Sequence, residues 1–249
     1  MAEVSLQIDV GNSSAKWRLV QEANVLARGR LIDEEATSKA AFLGMSPKPT
    51  QVLIASVASA ARNEQLAALV RSEWAVEPWF AQTQARSGRL VNSYDQPERM
   101  GVDRWLAMFA AVHRHPGRVA VIDSGSALTI DFVDAEGRHE GGYIIPGAQL
   151  MERALLLDTD RVRFEEDIKY GLRPGRSTAE AVRHGIALAQ VGAVQLALHT
   201  AGWPSPQVFV CGGGAAYLSD GLDTAVETAP DLVFEGLQGV WSMHNGIAP

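Results

Sequence analysis

Short β-branched runs punctuate the chain, each closed by Gly, Asn or Asp: Val4 to Val10, Gln51 to Val57, Arg118 to Asp123, Leu128 to Val133 and Gln207 to Cys211. Runs of this length bounded by turn residues predict strands. Between them, Ala61 to Trp74, Arg104 to His113 and Ser177 to Thr200 carry apolar residues at helical spacing, with Thr178 and Glu180 near the start of the last. Polar residues at that point suit the unpaired amides of a helix N-terminus. Strands alternating with helices predict an α/β protein.

The pattern occurs twice. Ile8-Asp9-Val10-Gly11-Asn12-Ser13 and Ile122-Asp123-Ser124-Gly125-Ser126-Ala127 align without a gap, and each closes one strand and opens another. At the same offset Lys16 to Val20 matches Ile130 to Asp134, and Gly29 falls beside Gly141-Gly142 where a third strand begins. So long a period indicates a duplicated domain rather than a solenoid. The break is expected at Pro116-Gly117, giving an N-terminal domain over 1–116 and a C-terminal domain over 117–249.

Composition narrows the partners. A chain of 249 residues, 47% hydrophobic and 20% charged, has room for two cores, and its net charge of -7 without a basic cluster excludes a broad nucleic-acid or anionic-membrane surface. Small molecules are the expected partners. Cys211 stands alone and so forms no internal disulfide, and Met1-Ala2-Glu3 runs straight into a strand without a charged-then-apolar leader, which predicts a cytoplasmic protein. The stretch Ile186 to Trp203 is nearly apolar but carries Gln190, Gln195 and His199, and reads as a buried or interfacial helix rather than a membrane span.

The two acid-glycine turns are the first candidates for chemistry. Gly after an acidic strand end lets the backbone turn tightly, so that amide hydrogens and Asn or Ser side chains face an anion. Around Asp9, Gly11, Asn12 and Ser13, a carboxylate able to orient Mg²⁺ and the ammonium of Lys16 address one triphosphate with charges of both signs. Lys16 also fits a solvated strand position. Neither a Gly-x4-Gly-Lys-Ser/Thr loop nor a helix-opening Gly-x-Gly-x-x-Gly is present. Cys211-Gly212-Gly213-Gly214-Ala215 follows a strand and precedes a helix, which suits either a tight turn or a backbone surface for adenine or ribose. No histidine spacing suits a metal site.

The most specific segment is Tyr94-Asp95-Gln96-Pro97-Glu98-Arg99-Met100-Gly101-Val102-Asp103-Arg104-Trp105. Framed by the two acid-glycine turns, it resembles the type III pantothenate kinases. The resemblance continues in Gly141-Gly142-Tyr143-Ile144-Ile145-Pro146-Gly147, in Ser177-Thr178-Ala179-Glu180-Ala181 and in Pro230-Asp231-Leu232-Val233-Phe234-Glu235-Gly236-Leu237. It implies two duplicated ribonuclease H-like domains of the actin-like ATPase and sugar-kinase superfold, with ATP between the halves. The implied activity is ATP-dependent phosphorylation of pantothenate to 4′-phosphopantothenate, the first step of coenzyme A biosynthesis.

Carried over residue by residue, the resemblance makes Asp103 the general base. It makes Tyr94, Gly101, Val102 and Arg104 the pantothenate site, joined by Thr178. Asp9, Gly11, Asn12, Ser13, Lys16, Ser126, Gly212 and Gly213 fall to the nucleotide, and Asp123 to a monovalent cation, K⁺ or NH₄⁺. Ser126 stands where many relatives have Thr, and the hydroxyl is kept. The Asp103-Arg104 pair would also serve as a helix cap and surface ion pair. A homodimer is implied, with Ile186 to Leu198 as the candidate interface. Two alternatives share the fold: a kinase for another small acceptor, and a regulatory relative without turnover.

Overall fold

The computed structural model describes residues 3–11, 14–31, 35–159 and 161–247. Successive side chains of a strand point to opposite faces of its sheet, yet β1 (Val4–Val10) is buried on both, with Leu6, Ile8 and Gln7 almost fully covered. Such a strand belongs inside a sheet with material on each side. β1 pairs antiparallel with β2 (Ala15–Gln21), which pairs antiparallel with β3 (Asn24–Leu31). After α1 (Ala36–Leu43), β4 (Gln51–Ser56) returns parallel to β1, and α2 (Ala60–Trp74) leads to the short parallel β5 (Trp79–Phe80). The order is β3-β2-β1-β4-β5. The even-numbered face of β1 packs with Trp17, Phe42, Leu66 and Val70 in one core.

Two two-residue strands, β6 (Arg86–Ser87) and β7 (Leu90–Val91), precede a single 3₁₀ turn at Pro97–Arg99 and α3 (Val102–Arg114). The topology then repeats. β8 (Val119–Ser124), β9 (Ala127–Val133) and β10 (His139–Pro146) form an antiparallel meander. α4 (Ala148–Asp158) and the long α5 (Thr178–Ala201) follow, β11 (Gln207–Cys211) pairs parallel to β8, and α6 (Ala215–Gly221) leads to β12 (Glu227–Thr228). The second order, β10-β9-β8-β11-β12, copies the first strand for strand. Ile122, Ile130 and Phe132 pack there with Val191 and Val194 of α5 and Leu218 of α6.

The final helix, α7 (Leu232–His244), belongs to the first unit. Gln238 accepts a 2.7 Å bond from Gln7 Nε2 on the odd-numbered face of β1. Gln7 Oε1 in turn accepts from Arg18 at 2.7 Å, and the Arg18 guanidinium lies 4.9 Å from the Phe234 ring centre. One unit therefore comprises 1–88, 94–110 and 232–249, and the other 89–93 and 111–231, so the division falls within α3 and the C-terminal helix groups with the first.

Apart from the third strands, the predicted strands and helices lie close to their expected ends; β3 begins at Asn24, well before Gly29, which lies near its end, and β10 begins at His139. One offset slips: β9 starts at Ala127, earlier than the match to Lys16 predicts, because Gly125-Ser126 is a two-residue turn whereas four positions separate β1 from β2.

Candidate functional site

In the first unit the sequence candidates gather around the C-terminal end of β1. Asp9 lies directly opposite Lys16 in the β1–β2 ladder, so the two side chains leave the same face of the sheet at neighbouring positions. Both are half-buried. The following turn is closed by the Gly11 amide, which donates to the Ser14 carbonyl at 3.1 Å. Asn12 and Ser13 lie outside the described residues. A cation that the sequence reading did not single out also reaches this turn: Arg62 Nη1 donates to the Gly11 carbonyl at 3.1 Å. Ser59 places it, capping α2 by accepting from the Arg62 amide at 3.3 Å.

Val57 links this turn to the segment from Tyr94. Its amide donates to the Val10 carbonyl at 3.1 Å, and a Cβ on Gly101 would stand 3.8 Å from its side chain. Gly101 leaves room for the neighbouring carboxylate, because that same Cβ would come within 2.6 Å of Asp103 Oδ1 and oblige the side chain to shift. Val102 is buried and anchors the first turn of α3. Asp103 Oδ1 accepts from the Arg104 amide at 2.8 Å, a carboxylate meeting the positive end of the helix. Arg104 is only 6% exposed; its Nη1 donates to the Tyr94 hydroxyl at 3.0 Å and its guanidinium stands 5.9 Å from that ring. A buried guanidinium needs an anion or several acceptors. Tyr94, Gly101, Asp103 and Arg104 are thus brought together as one group.

In the second unit the counterpart turn is wedged by glycines. Gly212 has φ +86, and a Cβ there would overlap Asp123 Oδ1 and the Ser124 carbonyl. A Cβ on Gly147 would overlap the Gly125 and Ser126 carbonyls. Only residues without side chains let the backbone come this close. Asp123 is half-buried near the end of β8, Ser126 is exposed in the turn, and Gly213 has open space around it. Thr178 is the exposed first residue of α5, whose start is capped by Ser177 accepting from the Glu180 amide at 3.2 Å.

The same unit holds a cavity of about 740 Å³ between α4, the 167–170 segment, Arg183 of α5 and α6. Arg183 stitches its wall: Nε and Nη2 donate to Glu152 at 3.0 and 3.1 Å, and Nη1 donates to Asp167 at 2.8 Å and to the Ile168 carbonyl. The Tyr170 and Tyr217 rings lie 5.3 Å apart along it. Burial, then the neighbouring Glu152 carboxylate, pushes the Tyr170 hydroxyl up to about 12. Its residues carry no motif, and their convergence from four segments is invisible in the sequence. Among the described residues, no group of three or more His, Cys, Asp or Glu side chains is placed to hold a metal ion.

Residues 5–199 match the family model for type III pantothenate kinase. The chain belongs to the type III pantothenate kinase family. It is 37% identical to the type III pantothenate kinase of Ectopseudomonas mendocina, covering 93% of this chain and 96% of that one. It is 35% identical to that of Cellvibrio japonicus, over 97% and 98% of the two chains. Among solved structures, a candidate 2-dehydro-3-deoxygalactonokinase from Sinorhizobium meliloti superposes with a TM-score of 0.61 at 17% identity, over 96% of this chain and 99% of that one. That likeness supports the fold alone: two copies of the unit shared by actin-like ATPases and sugar kinases.

Proposed function

We propose that the chain transfers the γ-phosphate of ATP to the 4′-hydroxyl of pantothenate, opening coenzyme A synthesis. The observation that carries this reading is the pairing of buried Arg104 with half-buried Tyr94 beside Asp103 in a chain of this family. The planar fork of Arg104 suits the carboxylate that ends pantothenate, and the Tyr94 hydroxyl holds the fork in place. Asp103 accepts the proton of the attacking hydroxyl. Val102 fixes the helix turn that presents it, Gly101 leaves the space its carboxylate needs, and Thr178 contributes a hydroxyl to the acceptor.

Phosphoryl transfer depends on alignment and charge neutralisation more than on covalent help from the protein. Asp9, Gly11, Asn12, Ser13 and Lys16 address the phosphates. Ser126 contacts the nucleotide, and Gly212 and Gly213 leave backbone bare for adenosine. The residues fit a Mg²⁺ carried by the triphosphate: among the described residues no three His, Cys, Asp or Glu side chains are grouped to cage an ion, which suits one that keeps most of its water. Bound there, Mg²⁺ supplies positive charge to the phosphate oxygens. Asp9 would orient it, and Asp123 would hold K⁺ or NH₄⁺, the Gly212 backbone lying close against its carboxylate.

The working form is a cytoplasmic homodimer. Leu188 and Leu196 of α5 are 61% and 65% exposed and, eight residues apart, share one helix face. α5 is long and apolar enough to cross a membrane by length and composition. Its Gln190 is fully buried, however, and Gln195 bonds the Gly221 carbonyl and Asp223, as in a helix packed onto its own protein.

The test is ATP-dependent phosphorylation of pantothenate with Mg²⁺, with and without K⁺ or NH₄⁺, by the wild type and Asp103→Asn. We expect turnover that requires the monovalent cation and is abolished in the variant, while ATP binding is kept. Substantial turnover by Asp103→Asn removes it as the base; a wild type that binds ATP but leaves pantothenate untouched overturns the acceptor.

A further inference from the structure

Behind the second phosphate turn runs a hydrogen-bond chain that none of the motifs contains. Ser124 Oγ lies 3.2 Å from the Tyr217 hydroxyl, and that hydroxyl donates to Oε1 of Gln190. Gln190, with no exposed surface, donates through Nε2 to the Pro146 carbonyl at 2.9 Å. The residue after Pro146 closes the circuit, since the Gly147 amide donates to the Ser126 carbonyl at 3.0 Å. Both ends of the Ser124-Gly125-Ser126 turn are therefore tied to one buried amide, although Gln190 lies in the middle of α5.

The direction of the protons follows from one fixed acceptor. A carbonyl only accepts, so Pro146 takes a Gln190 N–H, which leaves Gln190 Oε1 as the acceptor. The single Tyr217 proton is then spent on Gln190, and the contact at Ser124 requires the serine proton to point inward, to the Tyr217 oxygen. Ser124 is 4% exposed, and its hydroxyl proton is committed away from any phosphate. Its part is to hold the turn, leaving phosphate contacts to Ser126 and the backbone amides.

We propose that Tyr217 and Gln190 are positioning residues for nucleotide binding, acting through Ser124 and Gly147 to hold the second phosphate turn in its binding shape. Burial raises the Tyr217 hydroxyl above its ordinary range, which keeps it protonated and donating across the working pH. The inference rests on the kinase reading for the identity of the nucleotide, not for the identity of the acceptor.

Three variants test it: Tyr217→Phe removes one hydroxyl and keeps the ring against Tyr170, Gln190→Met keeps the volume and removes both bonds, and Tyr170→Phe is the control. The control removes the neighbouring hydroxyl, which donates to Glu152 rather than to the turn. ATP affinity is measured by calorimetry without pantothenate, then KM for each substrate, kcat and the thermal midpoint. Loss of a buried hydrogen bond predicts ATP binding weakened about fivefold or more in Tyr217→Phe, with a matching rise in the ATP KM. Pantothenate KM stays near wild type, the thermal midpoint falls modestly because buried Gln190 Oε1 loses its donor, and Tyr170→Phe binds ATP normally. Gln190→Met follows Tyr217→Phe and exceeds it, because both anchors go.

Unchanged ATP affinity in Tyr217→Phe overturns the proposal. So does a rise of both KM values together, or a fall in thermal midpoint with ATP affinity kept, which would mark the chain as packing only. A wild type that binds ATP but does not phosphorylate pantothenate refutes the acceptor and leaves the calorimetric comparison standing, so the two failures are told apart.

Discussion

At the scale of single residues, the ionisable group with the clearest consequence is Tyr170. Its hydroxyl donates to Glu152 at 3.2 Å inside the wall stitched by Arg183, and burial with the adjacent charge lifts it to about 12. In an unfolded chain tyrosine loses its proton near pH ~10. Above that pH the folded form binds more protons than the unfolded one, so stability falls as pH rises, through the window that closes at about 12. Below it Tyr170 contributes no slope. Thermal melts at successive alkaline pH values should show a shallower loss for Tyr170→Phe than for wild type; identical slopes would show that the ring is more open than its surroundings suggest. Sequence alone shows nothing of this, since Glu152, Tyr170 and Arg183 carry no motif and meet only through the packing of α4 and α5. The Asp103-Arg104 pair is the opposite case. Its place was expected from the resemblance of the Tyr94 to Trp105 segment to the family, since acid and base at a helix start by themselves suit an ordinary cap and surface ion pair equally well.

The scale of elements explains what else could be read. The strands were legible because turn residues bound each β-branched run, and the doubled Asp-x-Gly turn marked the same corner of both sheets. α1 and α4 were not: each buries only one residue, Phe42 and Ala148, so neither leaves a clear apolar stripe. Nor does periodicity reveal where α7 docks. Gly236 makes that contact, since a Cβ there would overlap the carbonyl of Leu106 in α3. Replacing glycine by alanine inside an exposed helix gains about 1 kcal/mol, whereas forcing two packed backbones apart costs about 1–3 kcal/mol. Gly236→Ala should therefore destabilise the protein despite alanine's better helix propensity. Urea midpoints decide it, and a midpoint at or above wild type would place the helices further apart.

For the whole molecule, assembly is the open quantity. The sequence pointed to Ile186 to Leu198 as an interface, and α5 leaves Leu188 and Leu196 uncovered while Ile186, Val191 and Val194 face the core. Charges on the uncovered face, in Leu188→Glu with Leu196→Glu, should convert the proposed dimer to a monomer without disturbing the core beneath. Sedimentation across a dilution series reads this directly; a wild type that is monomeric throughout, or a dimer that survives both charges, removes α5 from the interface.

The return of α7 to the first unit bears on how the chain is made. The second unit is complete once Asp231 has been synthesised, but the first lacks the helix that covers Gln7 and Arg18 until 232–244 have followed. The half that is begun first therefore receives its covering helix last, and the side of β1 that carries Gln7 has no cover from α7 until then.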